Sequence, residues 1–551
     1  MEKADLSHLD ALKVLIVDDQ FLVHNMLKAA FSDLGIQHIK YAENAYYALR
    51  LCEQTRFHIV ICAFNVKSDK DGFHLLEELK FKGFVNKRTV LIFLSAETDE
   101  SLVNSIVELQ PDDFWVKPLD TARVKKRLPQ VLNVKRTLFN VYEAIDLKNY
   151  SKAIYLVDRH VLNPALARFH LQLQRLKGEA LLKLQEYEEA EAFYQQLMEK
   201  HQMSWVHLGY INALLKQDKM AEIEQMLVEL TDRVDTRFAT YDLLAQYYIE
   251  RQEFDHAYEE IKKAVALSPR NIERNKKVWD LARLTHDFEG QYLATQAMAK
   301  HAKNSLHDSP VLALNVIRAG LDLAQTLNNE RSAKILQQTD KQIQALEKDY
   351  KEASLFKEQI IIAKARLMVA NDERKKAENL IDLHVSVRPI VSLDDNLDKA
   401  KVFHELGRLE EASLIMDSVK KQISSDNLAG LVVKKYVEQE CDEQERVHFT
   451  PKQLQTMAIE FFKKKKYSAS LSALEQAMEL TPKNNRVAIS VLKVLALIHE
   501  EEGLSASQKE LTLRTVSLLE KNDMSEAEQA NFMDYKERLQ PVLAQAMLPM
   551  D

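Results

Sequence analysis

Cysteine is nearly missing from this chain: Cys52, Cys62 and Cys441 are the only three in 551 residues. Three thiols cannot build a disulfide framework, and such sparse usage fits a reducing, cytoplasmic setting. Glycine and proline are scarce too, at 10 and 11, while 29% of residues are charged. That balance favours long, solvent-exposed helices. No apolar run is long enough to span a bilayer. The first residues, Met1-Glu2-Lys3-Ala4-Asp5, lack the basic-then-apolar order of a signal peptide. Basic charge is also in deficit. The net charge of −8 excludes an overall positive field for nucleic acid or anionic lipid. These absences describe a cytoplasmic protein with neither membrane nor nucleic acid as a partner. Its length exceeds what one core serves, so it divides into two or more domains.

What is present is organised around Lys13-Val14-Leu15-Ile16-Val17-Asp18-Asp19-Gln20. A short β-branched run ends in two adjacent carboxylates. The run reads as a strand buried on both faces, and its C-terminal end reaches the sheet rim where α/β folds bind ligands. Two like charges there are tolerable if a divalent cation sits between them. Strand-like segments at Lys13–Asp18, Ile39–Ala42, His58–Ala63, Thr89–Leu94 and Phe114–Val116 alternate with helix-like segments at 21–34, 45–55, 73–82, 99–109 and 121–132. Five such alternations predict an α/β domain with a doubly wound, five-stranded parallel sheet over residues 8–133. At its strand ends stand Asp18 and Asp19, Ala63, Ser95 and Lys117.

In their order along the chain, Val17-Asp18-Asp19, Val60-Ile61-Cys62-Ala63-Phe64-Asn65, Leu94-Ser95-Ala96 and Phe114-Trp115-Val116-Lys117-Pro118 resemble the response-regulator receiver domain. The resemblance covers about a quarter of the chain. It implies that Asp18 and Asp19 hold Mg²⁺, with the backbone carbonyl of Asn65 as a further ligand. It implies that Ser95 donates its hydroxyl to a phosphoryl oxygen and that Lys117 pairs with the phosphate as a point charge. Pro118 matches the proline whose cis bond aims that lysine, and Phe114 matches the switching aromatic. Trp115, Cys52 and Cys62 read more simply as core.

The departure is Ala63, which stands where the family keeps its phosphoacceptor aspartate. Alanine offers no nucleophile, so no aspartyl phosphate forms here. A metal ligand is lost with it, so Mg²⁺ binds more weakly. Asp69 is the nearest acid downstream and a poor substitute. Two origins fit: an engineered aspartate-to-alanine change in a working receiver, or a natural pseudo-receiver. The intact acid pair and lysine favour the first.

Beyond residue 133 the strand pattern gives way to helical periodicity. Tyr187-Glu188-Glu189-Ala190, Phe254-Asp255-His256-Ala257, Leu409-Glu410-Glu411-Ala412 and Tyr467-Ser468-Ala469-Ser470 repeat one local pattern. Residues 238–271 and 451–484 resemble tetratricopeptide repeats, with small residues where two helices approach and large ones filling the gap. Trp205, Leu208, Gly209 and Ala221 fit a third unit. The pairs are expected to stack into an all-α superhelix: repeats over 134–300, irregular repeats or a break over 301–395, and repeats with capping helices over 396–551. Residues 385–395 read as a non-periodic connection, and three helices are expected after 484. Lys463–Lys466 reads as a solvated helix face.

No catalytic constellation stands out, so the chain reads as a non-enzyme. The expectation is a two-component response regulator whose output is protein binding. It would meet a histidine kinase or phosphotransfer protein at the receiver, and a protein partner in the concave face of the repeats. The arrangement resembles VieB-type auxiliary regulators, which combine a receiver with repeats. The alternative is a constitutive scaffold carrying a non-switching pseudo-receiver.

Overall fold

A computed structural model describes residues 8–66, 70–96, 100–327, 330–349, 353–390, 392–423 and 427–546; Asp69 lies outside them. The N-terminal part builds β1 (Lys13–Val17), α1 (Phe21–Asp33), β2 (His38–Ala42), α2 (Ala45–Gln54), β3 (Ile59–Ala63), α3 (Gly72–Phe81), β4 (Val90–Ser95), α4 (Glu100–Glu108), β5 (Asp113–Val116) and α5 (Thr121–Thr137). The strands are all parallel, in the order β2-β1-β3-β4-β5. Successive side chains of a strand face opposite ways. Leu15, Val17, Val60, Cys62 and Phe93 therefore enter one core, with residues of α2, α3 and α4. Ile16, Ile61, Ala63 and Leu94 enter a second, with residues of α1 and α5. Helices on both faces explain why β1, β3 and β4 read as unbroken apolar runs. Asn44, Asp71 and Asp120 cap α2, α3 and α5 by accepting backbone N–H bonds. Cys52 and Cys62 are buried free thiols and Trp115 is core. α5 runs on past residue 133 to Thr137.

From Phe139 onward every described element is helical. The helices come mostly as antiparallel pairs joined by a recurrent tight turn. A residue with positive φ stands two positions ahead of the next helix at Lys148, Gln185, Gln252, His286, Asp372, Gly407 and Lys465. The pairs approach closely where the sequence supplies small residues. A Cβ added at Gly209 would come within 2.2 Å of the Tyr194 ring, and one at Gly178 within 2.3 Å of its hydroxyl. Both glycines are therefore required by the buried tyrosine packed between them. Separate apolar clusters follow one another along the chain, as expected when each pair packs mainly on its neighbours.

Three expectations are corrected. Ser392 caps a helix running Leu393–Glu405, so the connection after residue 384 is shorter than expected. Among the described residues after 484 there are four helices, because the last stretch breaks between Arg538 and Gln540, next to Pro541. In the run Lys463–Lys466 only Lys463 is helical, as the last residue of its helix; the other three form the turn to the next helix rather than a helix face, with Lys465 at φ 57°.

The chain divides into two compact units. One holds residues up to Asn275 together with Lys300–Asp308. The other holds Lys276–Ala299 and the residues from Ser309 onward.

Candidate functional site

The parallel register sets the strand ends side by side. Val17 pairs with Cys62, Ala63 with Leu94, and Ser95 with Val116. Asp18 follows β1 directly and is fully buried. Its Oδ1 accepts the backbone N–H of Gln20 at 2.9 Å, and its Oδ2 lies 2.7 Å from the Lys117 ammonium. Lys117 reaches it from the far side of the sheet because its own N–H donates to the Ser95 carbonyl at 2.9 Å. The Lys117–Pro118 bond is cis. Ser95 is buried, Asn65 is exposed, and the half-buried Phe114 stacks on Phe93 with centroids 6.1 Å apart. Thus the acid pair, Ala63, Ser95 and Lys117 gather at one sheet edge.

Asp19 carries the observation that bears on a metal. Its Oδ1 is buried with no hydrogen-bond partner, an arrangement that costs free energy unless a cation or water meets it. Two carboxylates and one ammonium leave the edge negative by one charge, which suits a hard divalent cation. Among the described residues no group of three or more His, Cys, Asp or Glu gathers to hold a metal. Cys62, next to Ala63 in the chain, is a poor nucleophile. Burial, together with the nearby Asp71 and Asp18, pushes its thiol far up, and a protonated thiol is a weak nucleophile.

The end of β3 is held by the start of α3. Gly72 N–H donates to the Phe64 carbonyl at 2.8 Å. A Cβ at Gly72 would stand 1.8 Å from the Ala63 carbonyl oxygen. Gly72→Ala is therefore expected to force the two backbones apart and to cost about 1–3 kcal/mol or more. Urea unfolding checks this, and an unchanged midpoint would refute the close approach.

Sequence reasoning missed what lies against this edge in the same unit. The turn after helix Phe254–Leu267 meets the α/β domain. Ser268 and Asn271 donate to the Glu108 carboxylate at the end of α4, and the Arg274 guanidinium pairs with it at 3.1 Å. Asn104 of α4 donates to the Leu267 carbonyl at 3.2 Å. Arg270 pairs with Asp71 at 2.8 Å, and its guanidinium lies 5.1 Å from the centre of the Phe64 ring, one residue past Ala63. The break Ser268-Pro269-Arg270-Asn271 is visible in the sequence, but nothing in it says what those side chains touch.

The fold and this edge define a response-regulator receiver domain followed by a long all-helical region. The family model for the response regulator receiver domain matches residues 14–129. A probable chemotaxis protein CheY of Rhizobium etli is 28% identical over 126 residues, 23% of this chain and 96% of that protein. The chemotaxis protein CheY of Bacillus subtilis is 27% identical over 123 residues, 22% of this chain and 99% of its own. Among solved structures, the chemotaxis protein CheY4 of Vibrio cholerae is 24% identical with a TM-score of 0.20, covering 22% of this chain and 98% of its own. A tetratricopeptide repeat protein of Parabacteroides merdae is 9% identical with a TM-score of 0.25, covering 55% of this chain and 98% of its own. No described helix is long and apolar enough to cross a membrane.

Proposed function

We propose that the chain is a two-component signalling regulator that acts by binding proteins, not by catalysis. Its receiver, over residues 8–133, meets a histidine kinase or phosphotransfer protein. The helical repeats that follow, over 134–300 and 396–551 with irregular repeats over 301–395, hold a protein partner on their concave face. The observation that carries this reading is the gathering of Asp18, the orphaned Asp19 carboxylate and Lys117 around the end of β3. Asp18, Asp19 and the Asn65 carbonyl would hold Mg²⁺, which would neutralise an incoming phosphoryl group. Lys117 and Ser95 would meet that group's oxygens, and Phe114 would follow Ser95 as the switch. Ala63 keeps this form from being phosphorylated.

A kinase-facing surface stays intact, because Phe21 and Leu22 at the start of α1 are 71% and 81% exposed beside the acid pair. A receiver that docks without accepting phosphate would occupy the kinase and slow transfer to another regulator, in the manner of VieB-type auxiliary regulators. The contacts of Glu108 and Asn104 with the 267–274 turn offer a route from α4 to the repeats. The alternative, a constitutive scaffold, is favoured by Ala63 itself.

Beryllofluoride with Mg²⁺, added to the Ala63→Asp variant, separates the two. The switch reading expects faster hydrogen exchange in 267–274 on addition; unchanged exchange there would favour the scaffold. Asp19→Asn is expected to weaken Mg²⁺ binding about tenfold or more, as loss of a charged ligand does. Titration of bound Mg²⁺ checks it, and equal affinity would remove Asp19 from the site.

A further inference from the structure

The second unit contains a cavity of about 120 Å³ bordered by helices Pro310–Thr326, Lys357–Ala370, Leu393–Glu405 and Leu428–Arg446. Its walls are charged to an unusual degree for buried surface. Arg366, 2% exposed, is paired with Asp322, Asp398 and Glu405. Arg318 is paired with Asp395 and Asp398, and Lys401 with Asp322 and, at 4.0 Å, Glu440. Arg283 is paired with Asp394 and Asp280. Glu443 adds a further carboxylate, 3.0 Å from His286. Of these groups three cations, Arg283, Arg366 and Lys401, and four carboxylates, Asp322, Glu405, Glu440 and Glu443, line the cavity itself. With His286 neutral the lining carboxylates exceed the lining cations by one, four against three, which in a region of low dielectric is costly unless a cation joins them.

A second, independent feature points into the cavity. Glu405, 6% exposed, lines it. Its Oε1 accepts from Arg366 and Gln325, but its Oε2 is buried with no partner. Glu440 and Glu443 line the same space, and Phe288 and Phe449 border it, with Phe449 44% exposed. Carboxylates with aromatic faces beside them recognise a guanidinium: it is planar, weakly hydrated, rich in donors and stacks on rings. A bare metal ion fits less well, because no group of three or more ligating side chains gathers among the described residues.

We propose that this cavity binds an arginine side chain presented by a partner protein. The space is small, so it takes one side chain and not a whole ligand. The proposal rests on the reading of the helical region as a protein-binding output, and it supplies that output with a recognition chemistry: a basic segment of the partner anchored by charge.

The test uses the full-length protein and a fluorescein-labelled peptide, Ser-Gly-Arg-Gly-Ser, followed by anisotropy at low salt. The control peptide carries citrulline in place of arginine, with the same shape and no charge. Saturable binding of the arginine peptide is expected, with none for citrulline. Glu440→Gln should weaken it about tenfold or more. Phe449→Ala, at an exposed position that leaves the fold intact, should weaken it several-fold. Absence of binding, equal binding of the citrulline peptide, or unchanged affinity in both variants would overturn the proposal. So would displacement of the peptide by spermidine at lower concentration than by arginine amide, which would make the site one for free polyamines. The peptide assay does not involve the receiver edge, and labelling of Ala63→Asp does not involve this cavity, so the two readings can fail separately.

Discussion

Ala63→Asp is expected to turn a chain that takes up no phosphoryl group into one that takes up about one per molecule. The β3 register places the new carboxylate beside Asp18, Ser95 and Lys117. Its oxygen would attack the phosphorus of a phosphohistidine or of acetyl phosphate. The bond to the imidazole nitrogen or acetate oxygen breaks, and the electron pair leaves with that group. Mg²⁺ should be required, because it offsets charge between an acid cluster and an incoming anion. The third carboxylate should also tighten Mg²⁺ binding over the Ala63 form. Lys117→Ala in the same background should lower the stability of the phosphorylated state, since it removes the cation now 2.7 Å from Asp18. Incubation with radiolabelled acetyl phosphate or with a kinase and labelled ATP measures this. No label on the new aspartate under either donor would undo the receiver chemistry.

The receiver was legible because its signals are local and its chemistry specific. Unbroken apolar runs end where charged residues begin, as at Val17-Asp18, and each strand and helix of the α/β domain starts and stops within a residue or two of its expected bounds, except α5, which runs five residues beyond the expected 132 to Thr137. Asp18, Asp19, Ser95 and Lys117 could be placed together because parallel strands carry their ends to a common edge. Gly72 could not be singled out. Its need for a bare Cα comes from the Ala63 carbonyl lying against it, and a glycine at a helix start has many ordinary reasons. Glu108 and Arg274 read as surface charges on two distant helices, and only the folded chain brings them to 3.1 Å.

The largest miss was the charged interior of the second unit. Arg318, Asp322, Arg366, Asp398 and Lys401 recur at helical spacing among apolar residues, which is how a solvated face reads. Their burial depends on helices far apart in sequence closing over that face. A pattern within one helix cannot announce it.

That interior sets the second large effect. Arg366→Met should destabilise the second unit by about 3–5 kcal/mol, because it leaves Asp322, Asp398 and Glu405 buried without their main counter-charge. Lys376→Met, which breaks an exposed pair with Glu373, should cost no more than about 0.5 kcal/mol. Urea unfolding of the two variants gives the comparison, and equal shifts would mean the buried network is not continuous. The same groups set a pH dependence. Burial would raise the Asp322 carboxyl, but Lys401 and Arg366 outweigh it and hold the group well below the usual carboxylate range. A carboxyl with a depressed folded value stabilises above its unfolded value of about 4, and that stability is lost as pH falls toward the folded value. Glu405 runs the other way. Burial raises it and Arg366 offsets that only in part, so its contribution is present at low pH and is lost as pH rises through the raised value. Below about pH 4 the Asp322 loss should dominate and the urea midpoint should fall. Asp322→Asn should flatten that acid limb. A limb that stays as steep in the variant would show that other carboxylates, not this buried one, drive acid unfolding.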